Sequence, residues 1–366
     1  MYLRRILIQN FKNISEADIT FASKINCICG NNGEGKTNLL DAIYYLSTTK
    51  SYFASTDAFT FKFGENNTSL HGSYINNKEY EDKISIGIKS GGEKVVKKNG
   101  KQYQKLVEHV GTIPVVMVSP ADTSLINDGG EERRRFMNRI LSQVDKEYLK
   151  RVQSYNQLLL QRNKLLKSFT VPLDLLETIG MQMESHAQYI YEKRGQLCEQ
   201  LSARATVFYN KLSGAKEEIS LVYTSDLQKG TLCELLEKSA ERDTILKYTS
   251  IGVHRDDVAF NMNGYPIKKC GSQGQQKSFL IALKLAKFSI MRELHNVTPI
   301  LLLDDVFDKL DMGRVEYLLE LVASDEFGQI FISDSNKVRL DNIVERVTEQ
   351  RKSFMVVNGE YREIEL

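Results

Sequence analysis

The feature that most constrains this sequence is a glycine-rich loop close to its start. Residues 30–37 read GNNGEGKT, which has the spacing G-x-x-x-x-G-K-T. A short run of β-forming apolar residues precedes the loop at 25–29, and an apolar-periodic stretch follows it at 38–46. In this strand–loop–helix order the backbone N–H groups of the loop form a nest around phosphate oxygens. The sequence therefore predicts a P-loop that binds a nucleoside triphosphate.

Two side chains of the loop have predicted chemical roles. Lys36 is expected to reach the β- and γ-phosphate oxygens and to act in catalysis, and the Thr37 hydroxyl to bind Mg²⁺. We find no N-K-x-D base reader of the kind that guanine-specific P-loop proteins need, so the expected cofactors are ATP and Mg²⁺. The predicted cofactor contacts in this segment are Gly30, Asn31, Asn32, Gly33, Glu34, Gly35, Lys36, Thr37 and Asn38.

A P-loop of this kind needs an acidic residue at the end of a neighbouring strand, and residues 298–311, TPILLLDDVFDKLD, supply one. Their four consecutive apolar residues predict a buried parallel strand. Asp304 lies at its carboxyl end, where α/β sheets place ligands, and would hold Mg²⁺ through water. Asp305 is the candidate to orient or deprotonate the attacking water. The alternative is that the two aspartates cap the next helix.

A second glycine-containing segment, CGSQGQQKSF at 270–279, opens into an amphipathic run. A helix that begins this way presents free N–H groups and a positive dipole end to an anion. The segment resembles the signature motif of ABC-type ATPases. That resemblance implies that Ser272, Gly274 and Gln275 contact the nucleotide bound by Lys36 of a second copy. The alternative is a Gly–Ser turn that caps a core helix.

Composition bounds the class of protein. The chain has 366 residues, 42% of them hydrophobic and 26% charged, which is enough for a sizeable core. No apolar run approaches the ~20 residues that span a membrane, and the N-terminus lacks the apolar region of a signal peptide. The five cysteines include no C-x-x-C pair and are expected to be buried thiols. We therefore expect a cytoplasmic protein with no membrane partner.

Positive charge is concentrated in two segments of this nearly neutral chain. Residues 89–105 contain six lysines and one glutamate, with an Asn-Gly hairpin turn among them, and residues 131–167 contain ten basic and four acidic residues. Such stripes suit a phosphate backbone, although an individual lysine is more often a solvated surface charge than a direct contact. The DNA-binding candidates are Lys94, Lys97, Lys98, Lys101, Lys105, Arg133, Arg134, Arg135 and Arg139.

A long segment separates the P-loop from the Asp304 strand. SMC and Rad50 proteins place a very long coiled coil there, whereas transporter ATPases have a far shorter interval. In this chain apolar residues recur from Leu176 to Leu212 with a period of about 3.6 rather than 3.5. The period predicts one face of an ordinary packed helix.

Several segments together resemble the RecF family of bacterial recombination proteins. They are LRRILIQNFKN at 3–13, the P-loop, 118–140, IGVHRDDVAF at 251–260, GSQGQQK at 271–277 and LLLDDVFDKLD at 301–311. The resemblance implies an ATPase that dimerises around two ATP molecules and binds DNA while ATP-bound. It also implies that the protein assists RecA loading at gapped DNA together with RecR.

The predicted fold is α/β, with a P-loop head of the ABC/SMC type, a β-rich flank and a mostly helical insertion. We predict the head at residues 1–116 and 248–366 and the insertion at 117–247. The C-terminal segment alternates around an Asn-Gly pair and is expected to form a hairpin.

Three positions depart from the family pattern. Phe53 stands where members often carry an arginine, Asp334 where ABC ATPases have a histidine, and Asp305 where they have glutamate. The shorter Asp305 side chain favours slow hydrolysis, which suits a weak ATPase acting as a switch. The alternative functions are a nuclease-associated ATPase of the Rad50 or OLD type and a transporter ATPase subunit.

Overall fold

The computed structural model describes residues 1–295, 297–308, 310–324, 326–336 and 350–364. The strands of these residues are β1 (Tyr2–Phe11), β2 (Ile14–Thr20), β3 (Ile25–Cys29), β4 (Asn67–Ile75), β5 (Glu81–Lys89), β6 (Lys94–Lys98), β7 (Lys101–Gln102), β8 (Val115–Val118), β9 (Ile219–Thr224), β10 (Asp257–Met262), β11 (Tyr265–Pro266), β12 (Ile300–Asp304), β13 (Ile330–Asp334), β14 (Arg351–Val357) and β15 (Glu360–Ile364). The helices are α1 (Lys36–Thr48), α2 (Ser124–Asn127), α3 (Gly130–Val144), α4 (Lys146–Leu166), α5 (Leu173–Ser213), α6 (Leu232–Lys238), α7 (Ala240–Leu246), α8 (Ile267–Cys270), α9 (Gln273–His295) and α10 (Met312–Ala323).

The first of two compact units comprises Met1–Asp122, Lys211–Gly214 and Gln273–Leu366. It contains a sheet in the order β15-β14-β3-β13-β12-β8, in which all neighbours except the β14–β15 pair run parallel. A second, antiparallel sheet has the order β2-β1-β4-β5-β6-β7. Helix α1 contacts strands of both sheets and is apolar on most sides, as a helix between two layers must be.

The second unit comprises Thr123–Asn210 and Ala215–Ser272. It is built from α2 to α8 and a small antiparallel sheet in the order β11-β10-β9. Helix α5 buries the predicted apolar face over its length, so the prediction of a packed helix at 176–212 is confirmed. No helix among the described residues combines the length and apolarity needed to cross a bilayer.

The boundaries of the second unit differ from those predicted. Residues 117–122 belong to the first unit, because β8 forms the edge of its parallel sheet. Residues 248–272 belong to the second unit, because β10 pairs with β9 from 257 to 262. The sequence pattern missed this pairing because the two strands are separated by α6, α7 and the loops around them.

Both predicted hairpins are confirmed. Strands β6 and β7 pair at Lys98 and Lys101 around the Asn-Gly turn. Strands β14 and β15 pair from Val357 and Glu360 outward, and β14 also runs parallel to β3. The second hairpin thereby lies beside the strand that leads into the P-loop.

Candidate nucleotide site and basic surfaces

The P-loop connects β3 to α1 in the predicted order. Every residue of β3 is buried, since the strand lies inside the parallel sheet. Lys36 begins α1 and is only 4% exposed, and its Nζ donates to the carbonyl oxygens of Gly30 at 2.7 Å and Asn31 at 3.0 Å. Both acceptors are neutral, and among the described residues no carboxylate lies within ion-pair distance of the buried ammonium. Asp304 and Asp305 interact with it only through charge at longer range.

Two glycines of the loop have no room for a side chain. A Cβ on Gly30 would lie 2.6 Å from the carbonyl oxygen of Val356 in β14. Gly35 has φ of +120°, and a Cβ there would lie 2.8 Å from Nδ2 of Asn13. Both positions require glycine because neighbouring backbone and side chains approach the loop closely.

Residues distant in the sequence hold the outer side of the loop. Asn13 Nδ2 donates to the carbonyl oxygen of Glu34 at 3.1 Å, and Asn13 Oδ1 accepts from Asn38 at 2.7 Å. From the C-terminal hairpin, the backbone N–H of Gly359 donates to Glu34 O at 2.8 Å, and Tyr361 OH donates to Gly35 O at 2.9 Å. No local sequence pattern indicates that these residues support the loop.

The predicted metal ligands lie together. Thr37 Oγ1 donates to Asp304 Oδ1 at 2.9 Å, and Ser333 Oγ donates to the same oxygen at 2.7 Å. Ser119 Oγ donates to Asp304 Oδ2 at 3.4 Å. Burial raises the pKa of Asp304, while these three hydrogen bonds favour its carboxylate. Hydroxyl and carboxylate oxygens are the donors that Mg²⁺ prefers, so the residues present fit that ion.

Asp305 occupies the left-handed region with φ of 46°, which aspartate tolerates better than most residues. Its backbone N–H donates to the carbonyl oxygen of Ser333 at 3.1 Å, which fixes this turn. Burial, and then the neighbouring Asp304, raise the pKa of Asp305. A raised pKa suits a group that takes up a proton. The alternative of a helix cap is wrong, since Asp311 caps α10.

A buried ion pair lies behind Asp304. Lys284 of α9 donates to Asp122 Oδ1 and to Tyr52 OH, both at 2.6 Å, and Tyr52 OH also donates to Asp122. Asp122 Oδ2 accepts from the backbone N–H of Ser119, whose hydroxyl reaches Asp304. These contacts, which pass through Ser119, connect α9 to the carboxylate of Asp304. Lys284 lies within a largely apolar helix, and the sequence pattern around it does not indicate that it pairs with Asp122.

The signature-like segment lies at the start of α9. Ser272 precedes the helix and is exposed, and Gly274 and Gln275 are in its first turn. Further along, Ser278 Oγ donates to the Gly274 carbonyl oxygen at 2.8 Å and accepts from Arg314 at 2.7 Å. The boundary between the two units falls after Ser272. The roles of these three residues toward a second copy stay a prediction.

The lysines of the β6–β7 hairpin fall into two groups. Lys94 Nζ lies 2.7 Å from Asp57 and donates to the Thr49 carbonyl oxygen, and Lys98 lies 3.2 Å from Asp82. Among the described residues no ion pair involves the exposed side chains of Lys97, Lys101 and Lys105.

The arginines predicted to contact DNA are mostly engaged within the second unit. Arg133 forms a fork on Asp257, with Nε and Nη2 distances of 2.6 and 2.9 Å. Arg135 pairs with two glutamates of its own helix, and Arg134 donates to the Asp256 carbonyl oxygen at 2.7 Å. Arg139 is exposed. The fork of Arg133 favours a structural role for that residue.

The structure shows the contacts of two residues that differ from the family pattern, Phe53 and Asp334. Phe53 is 36% exposed, and the Lys12 ammonium lies 5.2 Å from its ring centre. Lys12 is also paired with the buried Asp41 at 2.6 Å, so this cation is fixed beside the position where an arginine was expected. Asp334 is buried at the end of β13, and its Oδ1 accepts from the backbone N–H of Asn336 at 2.8 Å.

The parallel sheet, the P-loop and the Thr37–Asp304 pair define an ATPase head of the ABC/SMC type. The family model for the RecF/RecN/SMC N-terminal domain matches residues 2–355. The chain is 44% identical to a protein of Parabacteroides distasonis named DNA replication and repair protein RecF, with 100% of each chain covered. A protein of the same name from Flavobacterium johnsoniae is 44% identical, covering 97% of this chain and 99% of that one. This chain belongs to the RecF family.

Solved structures agree with this assignment. A recombination mediator protein RecF in complex with ATPrS, described as part of the RecFOR pathway, has a TM-score of 0.88 and 30% identity over 100% of this chain and 98% of that one. An SMC head bound to the C-terminal winged-helix domain of ScpA has a TM-score of 0.60 at 14% identity, and therefore shows the shared fold alone. The repair function is supported over the Rad50-type alternative.

Proposed function

We propose that this protein is an ATP-dependent DNA-binding switch of recombinational repair and replication restart. The proposal rests on the buried Lys36 ammonium, which donates hydrogen bonds to neutral carbonyl oxygens at 2.7 and 3.0 Å beside the Thr37–Asp304 pair. A relative of this fold has a solved structure with ATP, which supports ATP as the nucleotide here.

Each residue of the nucleotide site has a separate role in ATP binding or hydrolysis. Lys36 exchanges its carbonyl acceptors for phosphate oxygens, a stronger charge-assisted contact. Thr37 and Asp304 hold Mg²⁺, which would offset the negative charge that develops on the phosphates. Asp305 orients the attacking water, and its short side chain together with its fixed backbone favours slow turnover. Slow hydrolysis would release DNA, so the protein acts as a weak, DNA-stimulated ATPase rather than a motor.

ATP would also control assembly. Ser272, Gly274 and Gln275 would contact the nucleotide bound by a second copy, giving an ATP-dependent homodimer around two nucleotides. The exposure of Ser272 at the start of a long helix supports this role, because its hydroxyl and the helix N–H groups can reach an external anion. Hydrolysis would remove the shared phosphate contacts and open the dimer.

DNA would bind chiefly through phosphates. Of the predicted contacts, Lys97, Lys101 and Lys105 are the exposed lysines without an ion pair in the described part of the chain. The partners we propose are gapped DNA with double- and single-stranded parts, RecR, and indirectly RecA. The naming of relatives as RecF of a RecFOR pathway and as replication and repair proteins supports this set.

The test is binding of gapped duplex DNA in ATP, ADP and no nucleotide, for wild type and Lys36→Met. We expect tight binding by wild type only with ATP and weak, nucleotide-independent binding by the variant. Lys78→Met is the matched control, since Lys78 is an exposed loop lysine in the same unit. Equal DNA affinity of wild type in ATP and ADP would contradict the proposal.

A further inference from the structure

The second unit contains an open cavity of about 300 Å³ that the nucleotide site does not use. It lies between α3, α4, α5 and the segment before β10. Its polar lining includes Arg134, Arg135, Arg194, Asn138, Asn156 and Tyr155, together with the carboxylate of Glu131. The volume is at the lower end of the range of small-ligand sites.

Most charges around the cavity are already balanced. Arg194, 3% exposed, donates from Nη1 to Asp256 Oδ2 at 2.7 Å and to the Val253 carbonyl oxygen at 2.6 Å. Arg135 pairs with Glu131 and another glutamate of its helix, both at 2.6 Å. These pairs contribute little net charge to the cavity.

Arg134 is the exception. Its Nη1 donates to the Asp256 carbonyl oxygen at 2.7 Å, and among the described residues no carboxylate lies within ion-pair distance of its guanidinium. Burial, and next the like charge of Arg194, lower the pKa of Arg134, and the nearby carboxylates of Asp257, Asp256 and Glu131 oppose this shift only in part. Desolvation and repulsion by a second arginine both destabilise the charged guanidinium of Arg134. An anion bound beside it would offset both of these costs.

Two amide side chains add hydrogen-bond donors to this wall. Asn138 Oδ1 accepts from Tyr148 OH at 2.6 Å and from Arg194 Nη2 at 3.1 Å, which leaves its NH₂ group available. Asn156 is exposed at the rim and makes no side-chain hydrogen bond in the described part of the chain. Tyr155, by contrast, is committed through its hydroxyl to His254 Nδ1 at 2.8 Å.

We propose that this cavity binds a phosphate group, with Arg134 as the principal donor and the amides of Asn138 and Asn156 as secondary donors. A guanidinium matches two phosphate oxygens in a planar fork, and neutral amides complete the shell without adding repulsion. The ligand is a phosphate ester or free phosphate, and the site is separate from the P-loop. The inference does not rest on ATP-dependent DNA binding, because it concerns another unit of the chain.

The test is calorimetric titration of the full chain with its P-loop filled by saturating ADP and Mg²⁺. The probes are inorganic phosphate, a trinucleotide with a 5′-phosphate and the same trinucleotide without it. We expect wild type to bind at least one probe and Arg134→Ala to bind it at least about tenfold more weakly, the loss of a hydrogen bond to a charged group. Arg242→Ala, an exposed arginine of the same unit away from the cavity, should bind as wild type does.

The probes also distinguish the source of the phosphate. Binding of inorganic phosphate alone indicates that the ligand is free phosphate. A preference for the 5′-phosphorylated trinucleotide indicates that the site binds a DNA end. Equal binding of both trinucleotides indicates that it binds an internal phosphodiester. Each of these three outcomes supports the proposed site if Arg134→Ala weakens binding of the same probe. Asn156→Asp, which adds a negative charge at the exposed rim, should also weaken binding and covers the case in which Arg134→Ala fails to fold. No binding by wild type, or unchanged binding in both variants, would overturn the proposal.

Discussion

The P-loop of the first unit and the arginine clusters of the second use positive charge in opposite ways. Lys36 is buried against neutral carbonyl oxygens, whereas Arg133, Arg162 and Arg194 each contact a carboxylate within their own unit. A buried cation with neutral acceptors is ready for an external anion, and one with a carboxylate is already neutralised. The partner of a basic residue, rather than local charge density, therefore indicates whether it serves a ligand or the fold.

The largest expected effect is on stability, and it follows from the buried pair in the second unit. Arg194→Met would leave Asp256 buried without its cation, which we expect to cost about 3–5 kcal/mol of unfolding free energy. Chemical denaturation followed by circular dichroism measures this. The control Arg135→Met removes a surface arginine of the same unit and should cost less than about 1 kcal/mol. Similar losses in both variants would remove the distinction between buried and surface arginines.

For the P-loop cation the expected effect is on activity. Lys36→Met should lower ATP hydrolysis by about two orders of magnitude, since a charged donor to the transferring phosphate is lost. Its thermal unfolding midpoint without nucleotide should change less than that of Arg194→Met, because the hydrogen bonds that are lost go to neutral oxygens and leave no buried carboxylate without an ion-pair partner. Hydrolysis is measured by phosphate release, with Lys78→Met as control. If Lys36→Met were destabilised as much as Arg194→Met, Lys36 would serve the fold in the same way as the paired arginines, and the contrast between the two regions would be contradicted.

Acid should destabilise the second unit through His254. Burial lowers the pKa of His254 to about 4 from its ordinary 6.5, and the positive charges of Arg255 and Arg134 add to this shift. A lowered histidine pKa means that its contribution to stability is complete above pH 6.5 and is lost as pH falls toward 4. Between pH 7 and pH 5 wild type should lose about 2 kcal/mol more than His254→Gln. Parallel pH dependences of the two proteins would show that this histidine does not titrate as described.

The smallest expected effect belongs to the exposed hairpin. Replacing Lys97 and Lys101 together by glutamine should weaken DNA binding about three- to tenfold at low salt and reduce the salt slope by up to about 2. Stability should be unchanged, since neither lysine is in an ion pair among the described residues. Binding is measured by fluorescence anisotropy across a salt series. The same change at Lys229 and Lys238, exposed in the second unit, is the control for net charge.

The sequence predicted the parts of the site that depend on local chain order. Residues 30–37 and Asp304 were identified because a strand and its following loop are contiguous, and the structure places Thr37 and Asp304 2.9 Å apart. The supports Asn13 and Tyr361 were missed because they reach the loop from opposite ends of the chain. Only the folded topology brings such residues together.

Pairing between residues far apart in the sequence also explains the other differences between the sequence-based predictions and the structure. The second unit extends to Ser272 because β10 pairs with β9, and no local pattern encodes that partnership. Arg133 was predicted as a DNA contact from its charge alone, and its partner Asp257 could not be inferred because it is far along the sequence. Lys284 was similarly hidden within an apolar helix, where its partner Asp122 could not be inferred.

The most direct test of the central claim is sedimentation velocity with ATP and then with ADP, for wild type, Lys36→Met and Ser272→Arg. We predict that wild type is a dimer with ATP and a monomer with ADP, and that both variants remain monomers. Circular dichroism of Ser272→Arg, an exposed position, should match that of wild type. If Ser272→Arg dimerises normally with ATP, the start of α9 is only a helix terminus and the shared-nucleotide mechanism is contradicted.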